Sequence, residues 1–172
     1  MTDEVRIYFP GPEPSDGIKR QTYLLRGEAV AAGGTAEWII RTLAAAFTTS
    51  TQSEVGRLWH DIKATLVERG LTAGLQKELD DVAAYFKARN LAAHASIVVA
   101  AVGSDHQILR LYQSKGKAQI DVVALADLES EVTTARDGYL AVQAVARALS
   151  EDNPAALSGL GTFPRFMVMG VT

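Results

Sequence analysis

The residues best suited to chemistry sit in one short stretch. In "YFKARNLAAHASIVVAAV", Tyr85 to Val102, Arg89, Asn90 and His94 precede an almost wholly apolar run. Histidine exchanges protons near neutral pH and suits general acid–base work. Arginine carries a permanent charge on a planar fork that matches phosphate oxygens. Asparagine donates to one neighbour and accepts from another. Together these types fit the handling of a phosphate ester, where one group moves a proton and another offsets charge on the phosphorus centre. The competing explanation is structural, because a histidine at a helix edge is commonly a satisfied hydrogen-bonding group. Arg-x-x-x-x-His alone is weak evidence; requiring Asn directly after Arg lowers the chance expectation to well under about 0.01.

The stretch reads as the second half of a long helix, Leu75 to Val102, ended by Gly103, Ser104 and Asp105. With Arg89 at the origin and about 100° per residue, Leu75, Leu79, Val82, Phe86, Ala93, Ile97 and Ala100 form one apolar stripe. Asn90 at about 100° and His94 at about 140° are an i, i+4 pair on one edge of that stripe, with Arg89 on the other. Ala92, Ala93 and Ala95 are small enough to admit a close backbone or ligand. Polar groups beside a packing face require partners, and a desolvated arginine requires a counter-charge. Glu28 and Glu37, in the first helical region, are acidic candidates; a phosphate is the other.

The elements around this helix follow from periodicity. "VRIYF", Val5 to Phe9, alternates as a short strand, and "PGPEPSDG" is a loop. Gln21 to Phe47 is helical, read as one element kinked at Gly33-Gly34. Ser53 opens a second helix, in which Val55, Leu58, Trp59, Ile62, Leu66 and Val67 recur at three- and four-residue steps; Gly70 caps it. Gln107–Gln113 and Ala118–Ala124 read as a β-hairpin around Ser114-Lys115-Gly116-Lys117. A last helix covers about Leu125 to Leu149 and stops at "SEDNP". The tail ends in a small apolar strand-like segment suited to pairing with the first strand or docking on a partner. The expected fold is mainly α: an antiparallel bundle of four to five helices with a small β-hairpin before the last helix. One domain is expected over 1–172, with its helical core at about 21–149, a strand and loop over 1–20 and a tail over 150–172.

Here the chain resembles the HEPN domain family (higher eukaryotes and prokaryotes nucleotide-binding). That family is a helical bundle with a signature Arg-x(4–6)-His on a long helix, the Arg followed by a polar residue. The match is "RNLAAH", within "GLQKELDDVAAYFKARNLAAHAS". "RLWHDIKATLVERGL" is similar to the preceding helix, and "ALADLESEVTTARDGYLAV" to the closing helix of several such domains. The resemblance implies a metal-independent endoribonuclease that acts through the RNA 2′-OH, often in a toxin–antitoxin or phage-defence setting. It implies a homodimer whose two motifs line one cleft, and an antitoxin or other regulatory partner. Carried over, Arg89 and His94 are catalytic, and Asn90 orients them or the phosphate. A nucleotide- or protein-binding dimer without catalysis is the alternative. In one branch a tyrosine two residues after the His is modified with AMP; this chain has Ser96 there, so inhibition by that route is not expected.

Composition bounds the rest. Hydrophobic residues make up 48% of 172, charged residues 22%, and the net charge is −3, so no global basic field attracts nucleic acid. A local patch has to do so, and the most basic window, "HQILRLYQSKGK", offers Arg110, Lys115 and Lys117 as contacts to an RNA backbone. Tyr112 in that window suits stacking on a base or packing across strands. With no cysteine there is no disulfide, thiolate zinc site or Cys nucleophile. His60, Asp61 and His106 lack metal-ligand spacing, so no metal or other cofactor is expected. The acidic N-terminus is unlike a signal peptide, and no apolar run reaches membrane-spanning length, so a cytoplasmic protein without membrane contact is expected.

Overall fold

In the computed structural model, residues 16–102 and 105–158 are described. They form α1 (Asp16–Phe47), α2 (Val55–Glu68), a 3₁₀ turn (Thr72–Gly74), α3 (Gln76–His94), β1 (Ser96–Val102), β2 (Asp105–Ser114), β3 (Lys117–Val123), α4 (Leu125–Asp152) and α5 (Pro154–Ser158). The protein is therefore mainly helical with one small antiparallel sheet. The expected strand Val5–Phe9 and most of the tail lie outside the described residues. None of the described helices is long and apolar enough to cross a membrane.

The largest departure from expectation is at α3. The helix ends at His94 rather than Val102, and "SIVVAAV" is a strand. A short apolar run cannot be assigned by periodicity alone, and Ile97, Val98 and Val99 are β-branched. The deciding interaction is with the next strand along the chain: β1 pairs along its whole length with β2, from Ser96 opposite Leu111 to Val102 opposite Asp105. Arg26 also donates from Nη2 to the Ala95 carbonyl oxygen at 2.7 Å. That bond satisfies one of the carbonyls released where a helix stops. Ile97 and Ala100 thus belong to a sheet and not to a helical stripe.

The expected hairpin is present as β2 and β3, from Ile108 opposite Val123 to Ser114 opposite Lys117. Its two central turn residues, Lys115 (φ 51°) and Gly116 (φ 75°), both have positive φ, as a type I′ turn requires. β1 adds a third strand, in the order β1-β2-β3. α1 runs unbroken through Gly33-Gly34. α2 ends in a Schellman arrangement: Leu71 N–H donates to Leu66 O and Gly70 N–H to Val67 O, with Gly70 at φ 69°. Its N-cap is Glu54, which makes no side-chain capping bond. At the start of α4, Asp127 accepts from the Ala124 backbone N–H at 2.9 Å, the reciprocal half of a capping box.

The chain separates into two compact units, and the divisions fall inside α1 (after Gly33), α3 (before Ala84) and α4 (after Arg136). In the first unit, one face of the sheet lies on helices. Ile97, Ile108, Val123 and Leu128 form its core, with Ile18, Leu25, Val99 and Leu125 packed against them. Ala29, Val132 and Ala135 form a second cluster with Leu25 and Ala32. Arg136 pairs with Glu28 at 2.7 Å across α4 and α1. The second unit takes its buried side chains from the later part of α1 (Ile39, Ile40, Leu43), from α2 (Leu58, Trp59, Ile62, Leu66), and from Val142, Val145 and Leu149 of α4. There Arg69 pairs with Asp152 at 2.5 Å and stands over the Phe47 ring.

Candidate functional site

All six residues singled out for catalysis or RNA contact lie in the first unit. The end of α3 positions three of them. Tyr85, fully buried, donates its hydroxyl proton to the Gly33 carbonyl oxygen at 2.9 Å. One turn later the Arg89 side chain runs past the same glycine: a Cβ at Gly33 would stand 3.5 Å from Arg89 Cγ and 3.6 Å from Tyr85 Oη. Gly33 thus lies where α3 packs on α1, with room for a Cβ at ordinary contact distance but not for a larger side chain. Repeated Tyr85/Arg89 spacing, i and i+4, facing a glycine on another helix was the missed signal.

Arg89 is half-buried and donates from Nη1 to Asn90 Oδ1 at 3.2 Å. The carboxylate of Glu28, one of the two acids considered for Arg89, binds Arg136. Asn90 and His94 are both exposed, one turn apart. His94 is the last residue of α3 and opens onto a groove of about 510 Å³ formed with Leu111, Tyr112, Gln113, Ala118, Gln119 and Ile120. Arg89 and His94 are separated by about 140° around the helix axis. The structure therefore joins Arg89 to Asn90, places Asn90 and His94 on one side of the helix, and sets His94 over the hairpin.

The hairpin residues divide. Lys115 and Lys117 are exposed at the turn. Arg110 is buried, and its Nη2 donates to Glu131 of α4; their side chains are 10% and 18% exposed. Arg110 therefore stands apart from the two lysines, inside the unit, where Leu25, Arg26, Ala29, Ile97 and Leu128 surround the pair. The alternation of strand side chains explains this: Arg110 shares a face with Ile108, which is core, while Leu109 and Leu111 point the other way. Tyr112 donates its phenolic proton to Asp121 of β3. That bond raises the phenol above its usual pKa of 10.0, with burial and the nearby negative charge adding to it and Arg110 opposing it.

The groove thus offers an exposed imidazole, a phenol and the amides of Gln113 and Gln119, with the exposed carboxamide of Asn90 outside its lining, one turn before His94 on α3. This set can exchange a proton and hydrogen-bond a polar ligand. No family of known proteins, no curated protein and no solved structure matches this chain.

Proposed function

We propose that this protein is a HEPN-type, metal-independent endoribonuclease, its helices arranged as an antiparallel bundle, acting as a homodimer in a toxin–antitoxin or phage-defence setting. The observation that carries the reading is the placement of "RNLAAH" at the end of α3, with His94 exposed over a groove and Asn90 exposed one turn before it. In the reaction, the RNA 2′-oxygen bonds to the adjacent phosphorus and the bond to the 5′-oxygen breaks. A base accepts the 2′-OH proton and an acid protonates the leaving oxygen, leaving a 2′,3′-cyclic phosphate. His94 fills one of these roles, and His94 of a second copy the other. Arg89 offsets phosphate charge and Asn90 orients it. Lys115 and Lys117 hold the backbone.

The test is incubation of the protein with tRNA and a short single-stranded RNA in EDTA, beside His94→Ala. Cleavage by wild type with cyclic phosphate ends, lost in His94→Ala while folding and dimerisation persist, is expected. Equal cleavage by the variant refutes the assignment. A second reading, a dimer that binds a nucleotide or protein without catalysis, draws support from the engagement of Arg110 by Glu131 and of Arg89 by Asn90. It predicts no cleavage by either protein, and nucleotide binding that His94→Ala weakens in equilibrium dialysis.

A further inference from the structure

β1 and β3 are the outer strands of the sheet, and they differ. In β1, Ile97 is buried and Val98, Val99 and Ala100 are half-buried; in β3, every residue from Lys117 to Val122 is exposed. Among the described residues β3 pairs only with β2. An edge left uncovered is a template for another strand, and proteins usually blunt it with charge, proline, a bulge or brevity. β3 carries two charges of opposite sign, Lys117 and Asp121, and no proline or bulge. Its seven residues contain no proline or glycine, its register with β2 is uninterrupted, and Ile120 and Val122 are 45% and 68% exposed. Both project to the face opposite the helices, in line with Leu111 and Leu109 of β2.

We propose that this edge pairs antiparallel with the same edge of a second copy, centred on Ile120, to form one continuous six-stranded sheet. The sequence "KAQIDVV" is self-complementary in that register. Ile120 meets Ile120 on the two-fold axis, and Ala118 faces Val122, so the outward apolar column continues from one copy into the next. On the other face Gln119 stands opposite Asp121, and Lys117 lies diagonal to Asp121, within reach of a long side chain. A register centred on Asp121 would oppose two carboxylates; a parallel one would align like charges. Charge complementarity therefore selects the antiparallel pairing and its centre.

Ile120 also lines the His94 groove, so the pairing brings the two grooves to one shared edge. This names the surface of the homodimer in the ribonuclease reading and rests on that reading for its use, whereas the argument from β3 does not depend on RNA. Seven residues a side is well below the roughly 20–30 of a standard interface, so a weak, concentration-dependent equilibrium is expected.

The chain has no cysteine, so Ile120→Cys carries a single thiol. Under mild oxidation it is expected to form a disulfide-linked dimer under conditions that leave Val67→Cys, at an exposed position of α2, monomeric. In sedimentation equilibrium Asp121→Lys should weaken self-association by about three- to tenfold, and Lys117→Asp in the same chain should restore it. Circular dichroism checks that each variant is folded. A wild-type chain that stays monomeric up to its solubility limit overturns the proposal. So does a dimer whose affinity is unchanged in a folded Ile120→Lys variant. A β3-linked dimer that cuts no RNA supports the pairing and counts against the ribonuclease reading; an RNA-cutting dimer whose affinity is unchanged in Ile120→Lys does the reverse.

Discussion

Two arginines of the first unit show how one side-chain type serves different ends. Arg26 ends a helix by taking the Ala95 carbonyl, and so fixes the backbone next to His94. Arg110 is buried with Glu131, and a buried ion pair loses most when one member is removed. Glu131→Leu is expected to cost about 3 kcal/mol or more, because Arg110 keeps its charge without a partner. The double change Arg110→Met with Glu131→Leu should return to within about 1 kcal/mol of wild type in urea unfolding. Tyr112 gives a pH prediction. Its folded-state pKa is raised by Asp121, so the neutral phenol is favoured in the fold. The associated stability is complete below the titration of an unfolded tyrosine, near about pH 10, and is lost as pH rises through the higher folded value. Ultraviolet titration should show one tyrosine ionising late, and Asp121→Asn should bring it back towards its ordinary value. An unchanged late transition in that variant would place the cause elsewhere.

At the scale of elements, the close approach of α1 and α3 makes Gly33 and Gly34 informative. A Cβ at Gly33 meets Arg89 and Tyr85 at ordinary contact distance, and one at Gly34 meets nothing within 4 Å. Both sit within a continuous helix, where glycine is disfavoured against alanine by about 1 kcal/mol. Gly33→Ala and Gly34→Ala should therefore each raise stability by about 0.5–1 kcal/mol, read from the urea midpoint at unchanged slope. Gly33→Leu should lower it, because its extra atoms need the space held by Tyr85 and would break the bond to the Gly33 carbonyl. Much of this layer was legible. The 3.6-residue pattern of α2, Gly70 past its end and the Lys115-Gly116 turn are local signals, and each is present. The end of α3 was not legible, because it depends on Arg26, 69 residues away in sequence, and on a strand partner in β2. The groove under His94 depends on where α3 stops and on the pairing of β2 with β3, so "RNLAAH" was visible as a motif while its surroundings were not. For the same reason Arg110 read as a surface cation: only its strand face, set by Ile108, distinguishes it from Lys115 and Lys117.

At the scale of the molecule, the net charge of −3 leaves RNA attraction to local groups. If Lys115 and Lys117 each neutralise one phosphate, Lys115→Ala and Lys117→Ala should each reduce the slope of log affinity against log salt by about 1. A slope unchanged by both would remove the hairpin turn from the RNA surface. The two compact units have a further consequence. Three helices, α1, α3 and α4, pass from one unit to the other, so neither unit is a single stretch of chain. A gene cut once, anywhere, yields no piece that contains one entire unit and nothing of the other. Fragments made by truncation are therefore expected to be insoluble or to regain structure only when complementary pieces are mixed. Recombination could not exchange one unit between related chains as a single cassette, so both would be inherited together.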